Sequence, residues 1–329
     1  TDSPVKRVTL TTNPACALHD PGPGHADVPG RLEALIAAVR GDAALLATVD
    51  ERIAQPATEE DLLRVHDAAH VAAVREAAAR AEREGAIVWL DEDTAASAGS
   101  WRAALAAAGC AIRALEAVLD GSPTGTAAAF ALSRPPGHHA TRARAMGFCL
   151  FNNVAVAIRR LQAQGRIRRV LVVDWDAHHA NGTQEIFYED PDVYVLSLHL
   201  HPHYPGTGHP AERGAGHGIG ATRNVPLPAG TGAGAYRRAF LSALDEALSH
   251  LTPELVVVSA GFDCLAGDPE GGLLLQPSDL HRLAAELVKR VGAAAHGRLV
   301  GVLEGGYAID RIGAGLVNLL RAFARLPPV

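Results

Sequence analysis

Short apolar runs alternate with longer amphipathic stretches along this chain of 329 residues, and the alternation limits the folds that it can adopt. The longer stretches are rich in Ala and Leu and have helical periodicity. Parallel strands that are buried on both faces read as continuous apolar runs, and they need crossover helices between them. The pattern therefore predicts an α/β fold with one parallel sheet. The predicted strands are Val5–Thr12, Thr126–Leu132, Arg169–Asp174, Val193–His199, Leu255–Ala260 and Leu299–Glu304, and the predicted helices lie near residues 31–40, 67–84, 101–120, 148–164, 234–250, 278–292 and 310–325.

The chain shows no internal division. No linker rich in Pro or Ser interrupts it, and no period of about 20 to 50 residues repeats, so we expect residues 1–329 to form a single domain. The segment Pro202–Pro228 is dense in Gly, Pro and His without apolar periodicity, which predicts a long ordered loop. Ligands bind beyond the carboxyl ends of strands in open parallel sheets. Because this loop follows a predicted strand, we expect it to border a site.

Composition and charge exclude several classes of protein. The four cysteines are widely spaced, which indicates neither a disulfide framework nor a thiolate metal site. The segment Thr1–Leu10 lacks the apolar core of a signal peptide, and no apolar run is long enough to cross a membrane, so we expect a soluble cytoplasmic protein without a membrane partner. A net charge of −6 argues against general nucleic-acid binding and suits a cationic substrate.

Carboxylate and imidazole side chains follow two of the predicted strands. Asp174, Asp176 and His178 are spaced by two, so in an extended backbone their side chains share one side. Asp and His are ordinary zinc ligands, and a catalytic zinc site combines three protein ligands with one open position. Asp263, at the end of another predicted strand, supplies the further ligand. An isolated Asp after a strand is more often a helix cap or turn former, but the clustering favours a metal site.

Two further segments carry groups suited to amide hydrolysis. His138 and His139 follow a predicted strand, two prolines and a glycine, and they can serve as additional metal ligands or as acid and base beside a metal-bound water. Tyr307 lies past the last predicted strand, after a glycine pair. Its phenol can donate to the oxyanion of a tetrahedral intermediate, whereas a lone tyrosine in such a place is more often a half-buried anchor.

Read together, five motifs resemble those of the histone deacetylase family, especially its class II and bacterial amidohydrolase-like branches. They occur in family order, and the segment His25–Leu32 looks like an altered version of the family's amino-terminal loop, so the resemblance covers nearly the whole chain. The motifs are Arg-Pro-Pro-Gly-His-His at 134–139, Gly-Phe-Cys-Leu-Phe-Asn-Asn at 147–153, Asp-Trp-Asp-Ala-His-His-Ala-Asn-Gly-Thr-Gln at 174–184, Gly-Phe-Asp at 261–263 and Leu-Glu-Gly-Gly-Tyr at 303–307.

This resemblance implies an arginase/deacetylase-type sheet of about eight strands with helices on both faces. It implies that His138 is backed by Asp174, that His139 is the general base, and that Asn181 backs His139. Tyr307 matches the family's oxyanion donor. The implied zinc ligands are Asp176, His178 and Asp263, a set that Fe(II) or Co(II) also fits.

The resemblance also implies residues that bind substrate and a structural cation. Phe148 and Tyr204 match the two aromatic walls of an acyl-lysine tunnel, Gly147 adjoins the first wall, and Asp93 matches the rim aspartate that gathers substrate amides. A structural potassium ion is implied near Asp174, Asp176, His178, Ser197 and Leu198, with a second near Phe187, Asp190 and Val193.

Three positions depart from the common family pattern. Asn181 replaces the aspartate of class I enzymes, which disfavours a class I assignment. Tyr204 stands where many members have phenylalanine. Glu270 follows Asp268-Pro269 where Leu or Met is common, and a glutamate there resembles the polyamine-deacetylating branch.

These observations predict a zinc-dependent hydrolase that releases acetate and a free amine from acetylpolyamine or acetyl-lysine substrates. One alternative is a general acyl-lysine or small-amide hydrolase of the same fold, and another is a non-catalytic module that binds acyl groups. A binuclear ureohydrolase would need bridging aspartates that His179 and Asn181 do not supply. The sequence does not indicate an oligomeric state.

Overall fold

A computed structural model describes residues 5–120 and 128–329 of the chain. Its strands match the six predicted runs and include further short or partly exposed ones. They are β1 (Val8–Thr12), β2 (Val49–Ile53), β3 (Val88–Trp89), β4 (Ala95–Ala96), β5 (Ala128–Ala131), β6 (Val170–Asp174), β7 (Val193–Leu200), β8 (Thr222–Leu227), β9 (Leu255–Ala260) and β10 (Leu299–Leu303). Residues 126 and 127 of the predicted strand Thr126–Leu132 lie outside the described residues.

The helices begin and end where side chains satisfy free backbone groups. Thr58 and Asp61 form a reciprocal capping box at one helix, and the Asn152 side chain accepts a hydrogen bond from Ala155 at the start of another. The α-helices are α1 (Gly30–Gly41), α2 (Ala43–Leu46), α3 (Glu59–Leu63), α4 (Ala68–Glu84), α5 (Ser100–Leu119), α6 (Asn153–Ala163), α7 (Asn181–Phe187), α8 (Ala233–His250), α9 (Pro277–Ala294) and α10 (Ile309–Phe323).

Eight strands form one parallel sheet in the order β2-β1-β5-β10-β9-β6-β7-β8, which confirms the predicted fold class. The central strands β5, β6, β9 and β10 are buried along their whole length because helices cover the sheet. The helices α1, α9 and α10 pack together, as do α5 and α6. The strands β5, β10, β9, β6 and β7 are consecutive in the sheet, so the loops that follow their carboxyl ends are neighbours.

Two strands of the eight-stranded sheet were not predicted from the sequence, and both lie at its edges. β2 has the sequence Val-Asp-Glu-Arg-Ile and is largely exposed, so it carries no apolar run. β8 occupies the end of the segment Pro202–Pro228 that was expected to be a loop throughout. It contains Pro226, which an edge strand tolerates. Edge strands are half solvated, and their sequences therefore lack the signal that identifies buried strands.

The helix expected near residues 148–164 begins later, at Asn153. Phe148 has a positive φ of 67°, which is incompatible with a right-handed helix, and the Asn152 cap fixes the observed start. In the described ranges 5–120 and 128–329, none of the helices combines the length and the apolar character that crossing a membrane requires.

Candidate active site

Asp176, His178 and Asp263 converge beyond the carboxyl ends of β6 and β9. Each offers a ligand atom, and these atoms lie within 4.8 Å of one another. The His178 Nδ1 atom is 3.0 Å from Asp176 Oδ1 and 3.1 Å from Asp263 Oδ2. All three residues are buried. The two carboxylates and one imidazole match the ligand types of a catalytic zinc site, so the residues fit a bound divalent metal.

Backbone groups hold both carboxylates in place. The Ala177 amide donates to Asp263 Oδ1 at 2.7 Å, and the Gly305 amide donates to Asp176 Oδ2 at 2.8 Å. A Cβ atom at position 305 would collide with the oxygens of both carboxylates, so only glycine permits this close approach. The cluster is therefore preorganised by three separate segments of the chain.

Electrostatics also favour a cation here. Burial, followed by repulsion from Asp176, raises the pKa of Asp263 to about 7. Two carboxylates in a site without solvent are costly unless a positive charge lies between them. A divalent metal would supply that charge.

His138 and His139 lie beside this cluster, with ring centroids 4.0 Å apart. The His138 Nδ1 atom is 3.0 Å from Asp174 Oδ2, and the His139 Nδ1 atom is 2.7 Å from Asn181 Oδ1. Because the Asn181 carbonyl oxygen can only accept, His139 Nδ1 carries the proton and its Nε2 atom is free to accept one.

The two histidines differ in charge. Burial opposes protonation of His138, but Asp176 and Asp174 outweigh it and raise the pKa of His138 to about 10. Burial and the charge on His138 lower the pKa of His139 well below its usual value. His139 is therefore neutral at physiological pH, as a general base must be.

Tyr307 is half buried at the end of the segment that follows β10. The Arg31 guanidinium lies 4.7 Å from the centre of its ring, and the ring of Phe148 meets it edge-on with centroids 5.6 Å apart. Its backbone amide donates to Asp268 Oδ2 at 2.7 Å. Burial raises the pKa of the Tyr307 phenol well above 10, with Arg31 opposing, so the phenol remains a hydrogen-bond donor.

Sequence reasoning missed Glu304, which supports the histidine pair. Its Oε2 atom accepts hydrogen bonds from the backbone amides of Gly137 and His138 at 2.7 and 3.1 Å, and its Oε1 atom accepts from the Ser259 hydroxyl at 3.1 Å. Burial raises the pKa of Glu304 to about 7. The only sequence signal was its place between a predicted strand and the glycine pair before Tyr307.

A buried ion network was also missed. Asp27 Oδ1 accepts from Arg31 at 2.7 Å and from Arg134 at 2.9 Å, and all three side chains are fully buried. The Arg31 Nε atom donates to the Gly306 carbonyl at 2.6 Å. The network thus joins the loop before α1 to the backbone beside Tyr307.

Two aromatic side chains lie close to the candidate catalytic residues. Tyr204, 37% exposed, meets the ring of His139 edge-on at 5.2 Å between centroids. Phe148 packs against Tyr307. Gly147 has a positive φ of 57° and packs against the His139 ring, where a Cβ atom would collide. The structure therefore brings Gly147 and Tyr204 against His139, whereas Phe148 packs against Tyr307 and His25.

Asp93 lies near this wall, but its carboxylate already has partners. Its Oδ1 atom accepts from the Gly147 amide at 3.0 Å and from the Thr94 hydroxyl at 2.9 Å. Its carbonyl accepts from the His25 ring at 3.0 Å. These contacts place Asp93 as a support for the Gly147–Phe148 turn.

Glu270 is half buried in the loop after β9. Its amide donates to Asp268 Oδ1 at 3.0 Å, and its carbonyl accepts from His203 Nε2 at 2.9 Å. His203 stacks on His178, with centroids 4.7 Å apart. The His203 side chain therefore links the Glu270 backbone to His178, a candidate metal ligand.

The residues expected near the first potassium ion are also neighbours. Asp174 and Ser197 are register partners on β6 and β7, and both are buried. The Ser197 hydroxyl contacts His199 Nδ1 at 3.0 Å. At the second expected potassium position, the Asp190 carboxylate forms an ion pair with the Arg159 guanidinium, with 2.6 Å between Oδ2 and the guanidinium nitrogen. His179 contacts Thr207 and Gln184, away from the Asp–His–Asp cluster.

Comparisons with known proteins show which family the chain resembles. The family model described as "Histone deacetylase domain" matches residues 25–323. The chain is 39% identical to "Histone deacetylase 10, chloroplastic" of Oryza sativa subsp. japonica over 83% of its own length and 62% of that protein's. It is 41% identical to "Histone deacetylase-like amidohydrolase" of Pseudomonas aeruginosa over 87% of its own length and 73% of that protein's. It is 38% identical to "Polyamine deacetylase HDAC10" of Homo sapiens over 79% of its own length and 39% of that protein's.

A solved structure, "Crystal Structure of HDA15 HD domain", superposes with a TM-score of 0.89 at 34% identity, covering 98% of this chain and 90% of that one. This chain therefore spans less than two thirds of the length of the rice relative but 90% of the solved HD domain. The solved structure supports the fold, and the family model and the relatives show the family. The chain belongs to the histone deacetylase family.

Proposed function

We propose that this chain is a zinc-dependent deacylase that hydrolyses N-acetyl amides to acetate and a free amine. The observation that carries the proposal is the buried cluster of Asp176, His178 and Asp263 beside a neutral His139 and a protonated Tyr307. Membership of the histone deacetylase family supports it.

A zinc ion held by the three ligands would polarise the scissile carbonyl and a water molecule. His139 takes a proton at Nε2 from the attacking water molecule, because Asn181 keeps the other ring proton on Nδ1, and the oxygen of that water forms a bond to the carbonyl carbon. The Tyr307 hydroxyl donates a hydrogen bond to the developing oxyanion. The protonated His139 then gives its proton to the leaving amine, so that the amide C–N bond breaks and acetate and amine form.

His138 acts electrostatically in this scheme. Asp174 and Asp176 keep it charged, and its charge discourages protonation of His139 before the reaction. Asp174 holds the His138 ring through Nδ1. We further propose that potassium binds near Asp174, Asp176, His178, Ser197 and Leu198, where the register of β6 and β7 supports a shared site.

For the substrate we favour a small cationic acetylated amine such as an acetylpolyamine. Glu270 supports this choice because its carboxylate forms no ion pair in the parts of the chain that the structure describes, residues 5–120 and 128–329. Its backbone carbonyl is bound by His203, which stacks on the candidate ligand His178. The name of the human relative, a polyamine deacetylase, is consistent with it. The second candidate is general acyl-lysine hydrolysis, favoured by the aromatic walls Phe148 and Tyr204.

A substrate panel tests the proposal. Acetate release is measured for N8-acetylspermidine, a neutral acetyl-lysine peptide, a longer acyl-lysine peptide and a small N-acetyl amide, each with and without a chelator. We expect chelator-sensitive acetate release and the highest kcat/KM for N8-acetylspermidine. Binding of these compounds without any acetate release would instead identify a non-catalytic acyl-binding protein, and equal kcat/KM for peptide and polyamine would favour the second candidate.

A further inference from the structure

His203 lies between the candidate metal centre and the loop that carries Glu270. Its ring stacks on the ring of His178, with centroids 4.7 Å apart and an angle of 25° between the planes. Its Nε2 atom donates a hydrogen bond to the Glu270 carbonyl at 2.9 Å. One half-buried side chain therefore contacts both a candidate metal ligand and the residue that we propose selects charge.

The Glu270 peptide groups are held from two sides. The carbonyl is bound by His203, and the amide donates to Asp268 Oδ1 at 3.0 Å. The other oxygen of Asp268 accepts from the backbone amides of Tyr307 and Ala308 at 2.7 and 2.9 Å. The position of Glu270 is thus fixed relative to both Tyr307 and His178.

The Glu270 carboxylate itself has no ion pair among residues 5–120 and 128–329, so nothing in these ranges fixes the side chain by charge. The position of the carboxylate therefore depends on how the Glu270 backbone is held. A charge attracts a substrate ammonium usefully only if it stays within a few ångströms of where that ammonium binds. Loss of the His203 hydrogen bond would allow the loop to sample positions in which the carboxylate is further away.

We propose that His203 is a positioning residue with two separable roles: its ring supports the metal ligand His178, and its Nε2–H group fixes Glu270 for selection of cationic substrates. The proposal rests on the proposed function. It assigns to the hydrogen bond an effect on KM for cationic substrates, and it assigns to the ring an effect on metal retention.

Two substitutions separate these roles. His203→Phe keeps an aromatic ring over His178 but removes the donor to Glu270, whereas His203→Ala removes both. The matched control is His201→Phe, because His201 is exposed and lies two residues away on the same loop. For each protein, kcat and KM are measured on N8-acetylspermidine and on a neutral acetyl-lysine peptide, and zinc retention is measured in competition with a chelator without substrate.

We expect His203→Phe to raise KM for N8-acetylspermidine about fivefold, the change that corresponds to a partly exposed charge pair of about 1 kcal/mol. Its kcat, its KM for the neutral peptide and its zinc retention should stay at the wild-type values. His203→Ala should show the same loss of selectivity and should also release zinc about twofold to tenfold more readily, the range expected for one aromatic ring pair. His201→Phe should change none of these values.

A double-mutant cycle tests whether His203 acts through Glu270. In a Glu270→Gln background the carboxylate is absent, so His203→Phe should cause no further loss of selectivity. Additive losses in the double variant, an unchanged KM ratio in His203→Phe, or wild-type zinc retention in His203→Ala would each overturn the proposal. If the wild-type protein hydrolyses neither substrate, the proposed function fails, while the chelator competition still decides the role of the His203 ring.

Discussion

Replacing Tyr307 by Phe removes one hydroxyl and leaves the surroundings of the ring intact. The contacts that hold the ring are made by its carbon framework and its backbone: Arg31 lies over the ring at 4.7 Å, Phe148 meets it edge-on, and the amide donates to Asp268. Phenylalanine preserves each of these contacts. We therefore expect Tyr307→Phe to fold as the wild type does and to change KM by no more than about twofold.

The expected effect is on turnover. The Tyr307 phenol stays protonated, so it can donate to an oxyanion that exists only as the reaction proceeds. Loss of one preorganised oxyanion donor typically lowers kcat about 100-fold or more, which is about 2.7 kcal/mol of transition-state stabilisation. The ground-state amide carbonyl carries less charge, so its binding depends less on the donor.

Steady-state kinetics on N8-acetylspermidine and on a neutral acetyl-lysine peptide would measure this effect. Tyr194→Phe is the matched control, because within the described part of the chain the Tyr194 hydroxyl is buried and has no hydrogen-bond partner. That variant should have wild-type kcat. A Tyr307→Phe enzyme with wild-type kcat, or one in which only KM rises, would refute the assignment of Tyr307 as oxyanion donor.

Three further predictions concern other parts of the molecule. Asn181→Asp should raise the pKa of His139, because a carboxylate stabilises the imidazolium, so the acid limb of the pH profile of kcat/KM should move up by about one unit; an unmoved limb would contradict the role of Asn181. Glu270→Leu should lower kcat/KM for N8-acetylspermidine and preserve or raise it for the neutral peptide, with weaker salt dependence, and an equal response of both substrates would remove Glu270 as a charge selector. His66 is buried, accepts from the Asn152 amide and contacts the Thr141 carbonyl, and burial lowers its pKa from 6.5 to about 3. Because the unfolded chain then binds the proton more readily, the free energy of unfolding should fall as the pH drops from 6.5 towards 3. His66→Gln should reduce this pH dependence by up to about 1.4 kcal/mol per pH unit. The same pH dependence of the unfolding free energy in both proteins would contradict this prediction.

The sequence indicated where the candidate site residues lie largely because the ends of buried strands can be recognised from apolar runs. Asp174, Asp263 and Tyr307 each follow a continuous apolar run, and each run is a buried strand of the sheet. The order of the strands in the sheet cannot be predicted from these runs. That β9 lies between β10 and β6, and so brings Asp263 beside Asp176, is a consequence of long-range packing.

Other residues near the site could not be predicted in this way. Asp27, Arg31 and Arg134 are charged, and isolated charged residues are usually solvated. Asp27 and Arg31 are only four residues apart, but Arg134 pairs with Asp27 across 107 residues of chain, and no local pattern records that contact. His203 likewise gains its contact with Glu270 only when the loops after β7 and β9 meet. Asp268 reaches the amides of Tyr307 and Ala308 only when the loop after β9 meets the segment after β10.

The resemblance to the histone deacetylase family was confirmed, but it describes Asp93 less fully than the structure does. At the rim of the site, one oxygen of its carboxylate is bound by the Gly147 amide and the Thr94 hydroxyl. A role in gathering substrate amides stays a prediction. It would require the carboxylate to bind substrate while it also supports the turn at Phe148.

Zinc content and acetate release measured on the same preparations of wild-type protein and Asp263→Ala test the central claim most directly. Asp263 supplies one of three candidate ligands, and its loss leaves only Asp176 and His178 in the cluster. We predict about one zinc per chain and chelator-sensitive hydrolysis for the wild type, and neither for the variant. An Asp263→Ala protein that retains stoichiometric zinc and full chelator-sensitive activity would contradict the account.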